Sequence, residues 1–307
     1  LYCVDEGWNT NTAGNGSINT LEIVSDGSLK RVNTIETVAG PVAIQFYNED
    51  KAVAMANYGG NASTTYTVSD DKKTFTHVQT ESFFAVNGPR PDQKKSLHHQ
   101  AVLDPTKKYM LFPDVGADAI RVYQIDPSNS VLTALPSIQA PAAYGPRHAT
   151  FWTPTTAGHG QKPCTYLFVI HELINRVTSY KVDDSTTPVT FQETEASKKD
   201  GGFLLFDGDA TWARPAEIAV SPDNRFITAS NRNVTNMEVN GVVGDSLTVF
   251  KPCADGSLER VGVYPSGGAF PRHFSYSKDG GHIAVANTNT NSVAIFKRNI
   301  ESGEIGD

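Results

Sequence analysis

One composite unit recurs along this chain and limits what it can fold into. It consists of an apolar strand, a turn built on Pro or Asp, a second apolar strand ending in Asn, Asp or Glu, a polar gap, and a third strand of the type V-x-x-[FY]. Copies begin at Ala43 (AIQFYNEDKAVAMANYGGNASTTYTV), Ala101 (AVLDPTKKYMLFPDVGADAIRVYQID), Ala149, Ile218 and Phe274 (FSYSKDGGHIAVANTNTNSVAIFKRN). The opening run from Leu1 matches only the later part of the unit. Second strands end at Asp5, Asn57, Asp114, Glu172, Asn231 and Asn287, at spacings of 52, 57, 58, 59 and 56 residues. That period suits a four-stranded blade, whose fourth strand, such as LERVGVYP after Gly256, leads into the next unit. A β-sandwich has no reason to repeat this pattern, and a parallel β-helix has shorter coils. The expectation is an all-β, seven-bladed β-propeller of four-stranded blades, a single domain over 1–307. Six units are visible, and the ends that close the ring are expected to lie outside the chain.

Composition narrows the partners. With 26 Lys+Arg against 33 Asp+Glu the net charge is −7, which removes the phosphate attraction that nucleic-acid and anionic-membrane binders need. Neither partner is expected, and no apolar run approaches the roughly 20 residues that span a bilayer. Cys3, Cys164 and Cys253 are too few and scattered for a disulfide framework or a zinc site. The chain starts at Leu1 within a strand pattern, so a segment upstream is expected to have been cleaved or left out. Sequons at Asn15, Asn61 and Asn233 permit glycosylation and export.

Polar groups recur at comparable points of successive units. His98 and His99 precede AVLDP, Gly145-Pro146-Arg147-His148 precedes ATFW, Arg214-Pro215-Ala216-Glu217 precedes IAVSP, and Phe270-Pro271-Arg272-His273 precedes FSYS. In a propeller, equivalent positions share radius and height, so these residues are expected around one mouth of the central channel. Converging Arg and His make an anion site, because guanidinium forks suit carboxylate or phosphate. A second ring is expected at the second-strand ends, with Asp114, Glu172 and Arg232 joined by Asn57 and Asn287. Glu172 stands where neighbouring units carry Asn, which is how a general acid or base is placed. The structural alternatives are specific. Recurrent Asp or Asn at strand ends serves as a turn residue, the Pro-Arg-His segments and Glu217 tie blades together, His98 is exposed, and His171 points away from Glu172 by strand alternation. No nucleophile elbow, HExxH, P-loop or GxGxxG occurs, and a ring richer in Arg than in carboxylate repels a cation, so neither metal nor cofactor is expected. Long connections at Asn87–Ser96, Thr153–Pro163, Lys198–Trp212 and Arg232–Asp245 are the expected binding loops.

The stretches HQAVLDPTKKYMLFPDVGADAIRVYQID, GPRHATFWTP, AEIAVSPDNRFITASNRN and FPRHFSYSKDGGHIAVANTNTNSVAIF resemble the lactonase family of seven-bladed propellers, over nearly the whole chain. That family includes bacterial 6-phosphogluconolactonases and the fungal 3-carboxy-cis,cis-muconate lactonizing enzyme. The opening LYCVDEGW resembles fungal, 3-carboxymuconate cyclase-like members, many of them secreted, and this resemblance implies an extracellular protein, with a cytoplasmic one as the alternative. The site of the lactonizing branch carries over to His99, Arg147, Glu172 and Arg232 as catalytic candidates, with His148, Glu217, Arg272 and His273 around them as substrate-binding candidates. Leu173-Ile174-Asn175 after the glutamate and the long connection after Arg232 depart from both branches. The implied function is formation or hydrolysis of a lactone on a small anionic organic acid by acid–base chemistry without a cofactor. The competing reading is a non-catalytic extracellular propeller that binds a sugar acid or a protein.

Overall fold

The repeat folds as antiparallel meanders. A computed structural model describes residues 1–7, 15–83, 88–155, 163–207, 212–234, 237–239 and 242–306. The expected loops at Asn87–Ser96, Thr153–Pro163, Lys198–Trp212 and Arg232–Asp245 thus fall partly outside the described residues. The chain forms two compact units, Leu1–Ala143 and Tyr144–Asp307.

The first unit holds three sheets. One has three strands, Tyr2–Asp5, Gly16–Ile23 and Leu29–Thr37, as the truncated opening repeat implies. The second runs Pro41–Tyr47, Ala52–Asn57, Ala62–Val68 and Phe75–Ser82, and the third runs Val102–Leu103, Tyr109–Asp114, Ala119–Ile125 and Leu132–Gln139. The second unit holds three more, opened by Pro146–Trp152, Arg214–Val220 and Pro271–Tyr276, whose second strands are Thr165–His171, Ile227–Arg232 and His282–Asn287. In the first of these three sheets the fourth edge is shared by Thr190–Glu193 and Phe203–Leu204. Between them lies the short helix Glu195–Asp200, capped by Thr194, so part of the connection expected at Lys198–Trp212 is regular structure. A hairpin, Met237–Val239 with Val242–Gly244, rises from the connection after Arg232.

Second strands are sandwiched, and their composition follows from it. Ala52–Asn57, Tyr109–Asp114 and Ile227–Arg232 are buried along their whole length. This explains the nearly continuous apolar runs of the first two, whereas the third buries Thr228, Ser230, Asn231 and Arg232 on hydrogen-bond partners. Each core cluster joins consecutive sheets within its unit. Trp152, Phe168 and Ile170 pack on Ile218, Ile227 and Phe250, and Leu247 and Val249 pack on Phe274 and Val285. The tight turn between first and second strands needs a left-handed residue at the same place each time, at Asp50, Lys107, Asn224 and Gly280, with φ of 60°, 61°, 59° and 73°. Asp, Asn and Gly meet that need at little cost, and Asp104 supports Lys107 by accepting from the amides of Thr106, Lys108 and Tyr109.

Pairing register corrects one expectation. In successive sheets Pro41 faces Asn57, His98 bridges to Asp114, Pro146 faces His171, Pro215 faces Asn231 and Pro271 faces Asn287. The counterpart of the strand-end Asn and Asp residues is therefore His171, and Glu172 lies one position further, in line with Tyr58, Val115, Arg232 and Thr288. Asp114, Asn57 and Asn287 do not share a register position with Glu172 and Arg232. Each is bonded within its own sheet. Asn57 accepts from Thr64 Oγ1 at 2.9 Å, His171 bonds Thr178 Oγ1 at 2.8 Å, and Asp114 takes Arg121, each partner being the third residue of the next strand.

Asp114 carries the densest of these networks. Its carboxylate accepts from the amides of Leu97, Gly116 and Ala117, from Ser96 Oγ and from Arg121, with His98 Nε2 at 3.5 Å. His98 is fully buried, not exposed. Asp114→Ala would strand Arg121 and three backbone donors, so a loss of about 3–5 kcal/mol of unfolding free energy is expected by urea denaturation.

Candidate active site

An irregularity repeated in four of the first strands shapes the candidate site. The register slips between Pro146 and His148, between Pro215 and Ile218, and between Pro271 and His273, as it does between Pro41 and Ala43 in the first unit. A bulge inserts one residue and re-aims its neighbours, so two consecutive side chains at each strand start are available to the site. The first bulge position carries Val42, His99, Arg147, Ala216 and Arg272 in turn, and the second carries Ala43, Gln100, His148, Glu217 and His273. Sequence comparison of the segments located most of these positions. It missed Gln100 and Tyr58, whose signal was the same repeat register.

In the second unit these positions converge as two ion clusters. The first is Arg147, Glu172 and Arg232. Arg147 is 1% exposed, donates Nη1–H to the Ala216 carbonyl at 2.6 Å, and holds Nε 3.4 Å from Glu172 Oε2. Arg232 donates Nη2–H to Glu172 Oε1 at 2.8 Å and Nε–H to the Arg214 carbonyl at 2.6 Å, while its guanidinium lies 4.7 Å from the Phe270 ring centre. Burial pushes the Glu172 carboxyl up, but Arg147 and Arg232 overcome it and hold the group below the usual glutamate range, with Arg272 adding to the effect. Burial is likewise the first influence on Arg147, followed by repulsion from Arg232; both disfavour its charge, and Glu172 offsets them only in part, so the group is lowered to about 9.

The second cluster is His148, Glu217 and His273, one residue from each of three consecutive sheets. Glu217 is buried and accepts His148 Nδ1–H at 2.9 Å on one oxygen and His273 Nδ1–H at 2.5 Å on the other. The Ile218 amide adds a third donor at 3.0 Å. Burial opposes the Glu217 charge, yet the two imidazoles hold the carboxyl well below the ordinary glutamate value. Burial pushes His148 down despite Glu217, whereas the hydrogen bond to Glu217 raises the exposed His273. Glu217 thus ties blades as one reading of the sequence held, and it also differentiates the two histidines.

His99 belongs to the first unit. It is 5% exposed, its amide donates to the Pro113 carbonyl at 3.1 Å, and its ring meets Tyr58 edge-on with centroids 5.5 Å apart. His171 is buried against Thr178 and Tyr144, where burial pushes it down to about 3, so it stays neutral and structural. Of the sequon residues, Asn15 and Asn233 are exposed and Asn61 is half-buried in a hairpin turn. Cys3, Cys164 and Cys253 are all free thiols.

Repeated four-stranded meanders, with charged pairs at bulged strand starts, define a β-propeller. The chain belongs to the family described as "Lactonase, 7-bladed beta-propeller", which matches residues 1–307. Six of the family's seven blades correspond to the six sheets described here. Membership places the chain among lactonase-type enzymes. It is 28% identical to a protein named "Probable 6-phosphogluconolactonase" from Arthroderma benhamiae, over 99% of this chain and 72% of the relative. It is 26% identical to a 6-phosphogluconolactonase of Formosa agariphila, over 94% of this chain and 76% of that one. Among solved structures, the periplasmic gluconolactonase of Pseudomonas aeruginosa superposes with a TM-score of 0.80 at 24% identity, covering 100% of this chain and 80% of the other, a likeness of fold.

Proposed function

We propose that this protein hydrolyses a lactone that carries a carboxylate or phosphate group, using Arg147, Glu172 and Arg232 as its reacting centre. The observation that carries this reading is the position of Glu172 between two buried guanidiniums. At neutral pH a carboxylate held ionised in this way is present in its proton-accepting form and has no proton to give, which favours hydrolysis over delivery of a proton to carbon. In this reading Arg147 and Arg232 face the substrate's anionic group and the oxyanion that develops on the lactone carbonyl. Each such donor is commonly worth about 2.7–4 kcal/mol of transition-state stabilisation. Glu172 takes the proton of the attacking water as its oxygen bonds to carbon. The ring C–O bond then breaks, and the ring oxygen leaves as the product hydroxyl. None of these steps needs a cofactor. The names of the relatives support the substrate class.

The test is turnover of 6-phosphogluconolactone, simple aldonolactones and 3-carboxymuconate by the purified protein. Hydrolysis of the first or second is expected. Turnover of 3-carboxymuconate alone would move the reaction to cycloisomerisation, and a folded protein inactive on all three would favour a binding propeller.

A further inference from the structure

The His148–Glu217–His273 bridge is more elaborate than a structural tie requires. Glu217 is anchored from both sides: its amide donates to Ser230 Oγ at 3.0 Å, and that hydroxyl donates to the Pro271 carbonyl at 2.9 Å. His148 and Glu217 are buried, whereas the His273 side chain is 65% exposed. With Nδ1 fixed on Glu217, the only ring nitrogen His273 can offer to a ligand is Nε2. Arg147 links the two clusters, because its guanidinium bonds the Ala216 carbonyl next to Glu217 and lies within electrostatic reach of both Glu172 and Glu217.

We infer that His273, oriented through Nδ1 by Glu217, is the proton donor to the ring oxygen that leaves when the lactone opens. This inference rests on the hydrolytic reading above. In it, Glu172 removes one proton from water as the new C–O bond forms. His273 Nε2–H then supplies one proton to the ring oxygen as the old C–O bond breaks, so that lactone and water give hydroxy acid. The proton on Glu172 passes to solvent and His273 regains one from it, which restores both groups. Glu217 and His148 are positioning residues, since they act only through His273. The charges facing His273 agree with a donor. On its own strand stands Arg272, from the Pro146–Trp152 strand come His148 and Arg147, and from the Arg214–Val220 strand comes Glu217. Glu217 outweighs burial and Arg147 and raises His273 above its ordinary 6.5. Arg147 lies within electrostatic reach of both Glu172 and His273. Their surroundings push the two apart, the carboxylate downward and the imidazole upward, which divides the base and acid roles between them.

The experiment compares wild type, His273→Gln and Glu172→Gln on δ-gluconolactone, whose ring oxygen leaves as an alkoxide, and on dihydrocoumarin, whose ring oxygen leaves as a phenoxide that needs no proton. His273→Gln is expected to lower kcat about 100-fold on δ-gluconolactone and to leave dihydrocoumarin nearly unchanged. Glu172→Gln is expected to fail on both. The alkaline fall of kcat on δ-gluconolactone, which marks loss of the His273 proton, should vanish in His273→Gln, and this second readout stands on δ-gluconolactone alone. Equal losses on the two lactones, or no loss on either, would overturn the proton-donor role. A wild-type protein that opens neither these lactones nor 6-phosphogluconolactone would overturn the hydrolytic reading instead, and this inference with it. Turnover of 6-phosphogluconolactone alone moves the His273→Gln comparison of kcat and its alkaline limb to that substrate, where an unchanged rate and profile would overturn the proton-donor role.

Discussion

Glu172→Gln is expected to lower kcat for the lactone substrate by about 10²- to 10⁴-fold, the range that a positioned proton acceptor supplies. The substitution keeps size and shape and removes one negative charge from between Arg147 and Arg232. It also has a stability signature. Arg147 is 1% exposed, so without its carboxylate it becomes a buried, uncompensated cation, at a cost of about 3–5 kcal/mol. Thermal unfolding read alongside steady-state kinetics separates the two effects, because the variant must be assayed well below its lowered midpoint. The pH dependence gives an independent check. Glu172 is held below its ordinary value of 4.5, so it contributes stability that is present above that pH and is lost as pH falls towards the folded value. In Glu172→Gln this portion of the acid sensitivity should disappear. An unchanged acid-unfolding profile would show that the carboxylate is not held by its arginines in solution.

Arg147→Ala is expected to reduce kcat/KM for an anionic lactone by about 10²- to 10³-fold, the usual consequence of deleting one oxyanion donor. The guanidinium works in two directions at once, with Nη1 on the Ala216 carbonyl and Nε turned to Glu172. A lysine offers one compact ammonium in place of that planar fork, so Arg147→Lys should recover little of the lost rate. The comparison that decides the role is between a phosphorylated or carboxylated lactone and its neutral analogue. A larger loss on the charged substrate supports anion recognition by Arg147. Equal losses on both would confine Arg147 to the carbonyl oxygen.

Much of this architecture is legible in the residues because it rests on local rules. Largely apolar second strands, turns that call for a left-handed Asp, Asn or Gly, and polar pairs at strand starts recur at intervals near 57 residues, and each has a physical cause within its own repeat. That is why His99, Arg147 and Arg272 align within the repeat, and why strand alternation sets His171 on the face opposite Glu172. The same counting failed by one residue at Glu172. A strand's side chains alternate faces, so a single-residue offset exchanges a structural position for a functional one, and spacing alone does not say which has occurred. His171, not Glu172, turned out to match Asn57, Asp114 and Asn231, and only the cross-strand pairing with Pro146 revealed it.

What the sequence by itself determined is the repeat, the all-β propeller and the identities of the charged residues at the blade starts. The tertiary structure alone decided which charges meet. Glu172 lies between Arg147 and Arg232, from strands far apart in sequence, and Glu217 binds one histidine from each neighbouring sheet. The reason is that charge pairing and burial depend on packing between repeats. Sequence periodicity describes only what each repeat contains.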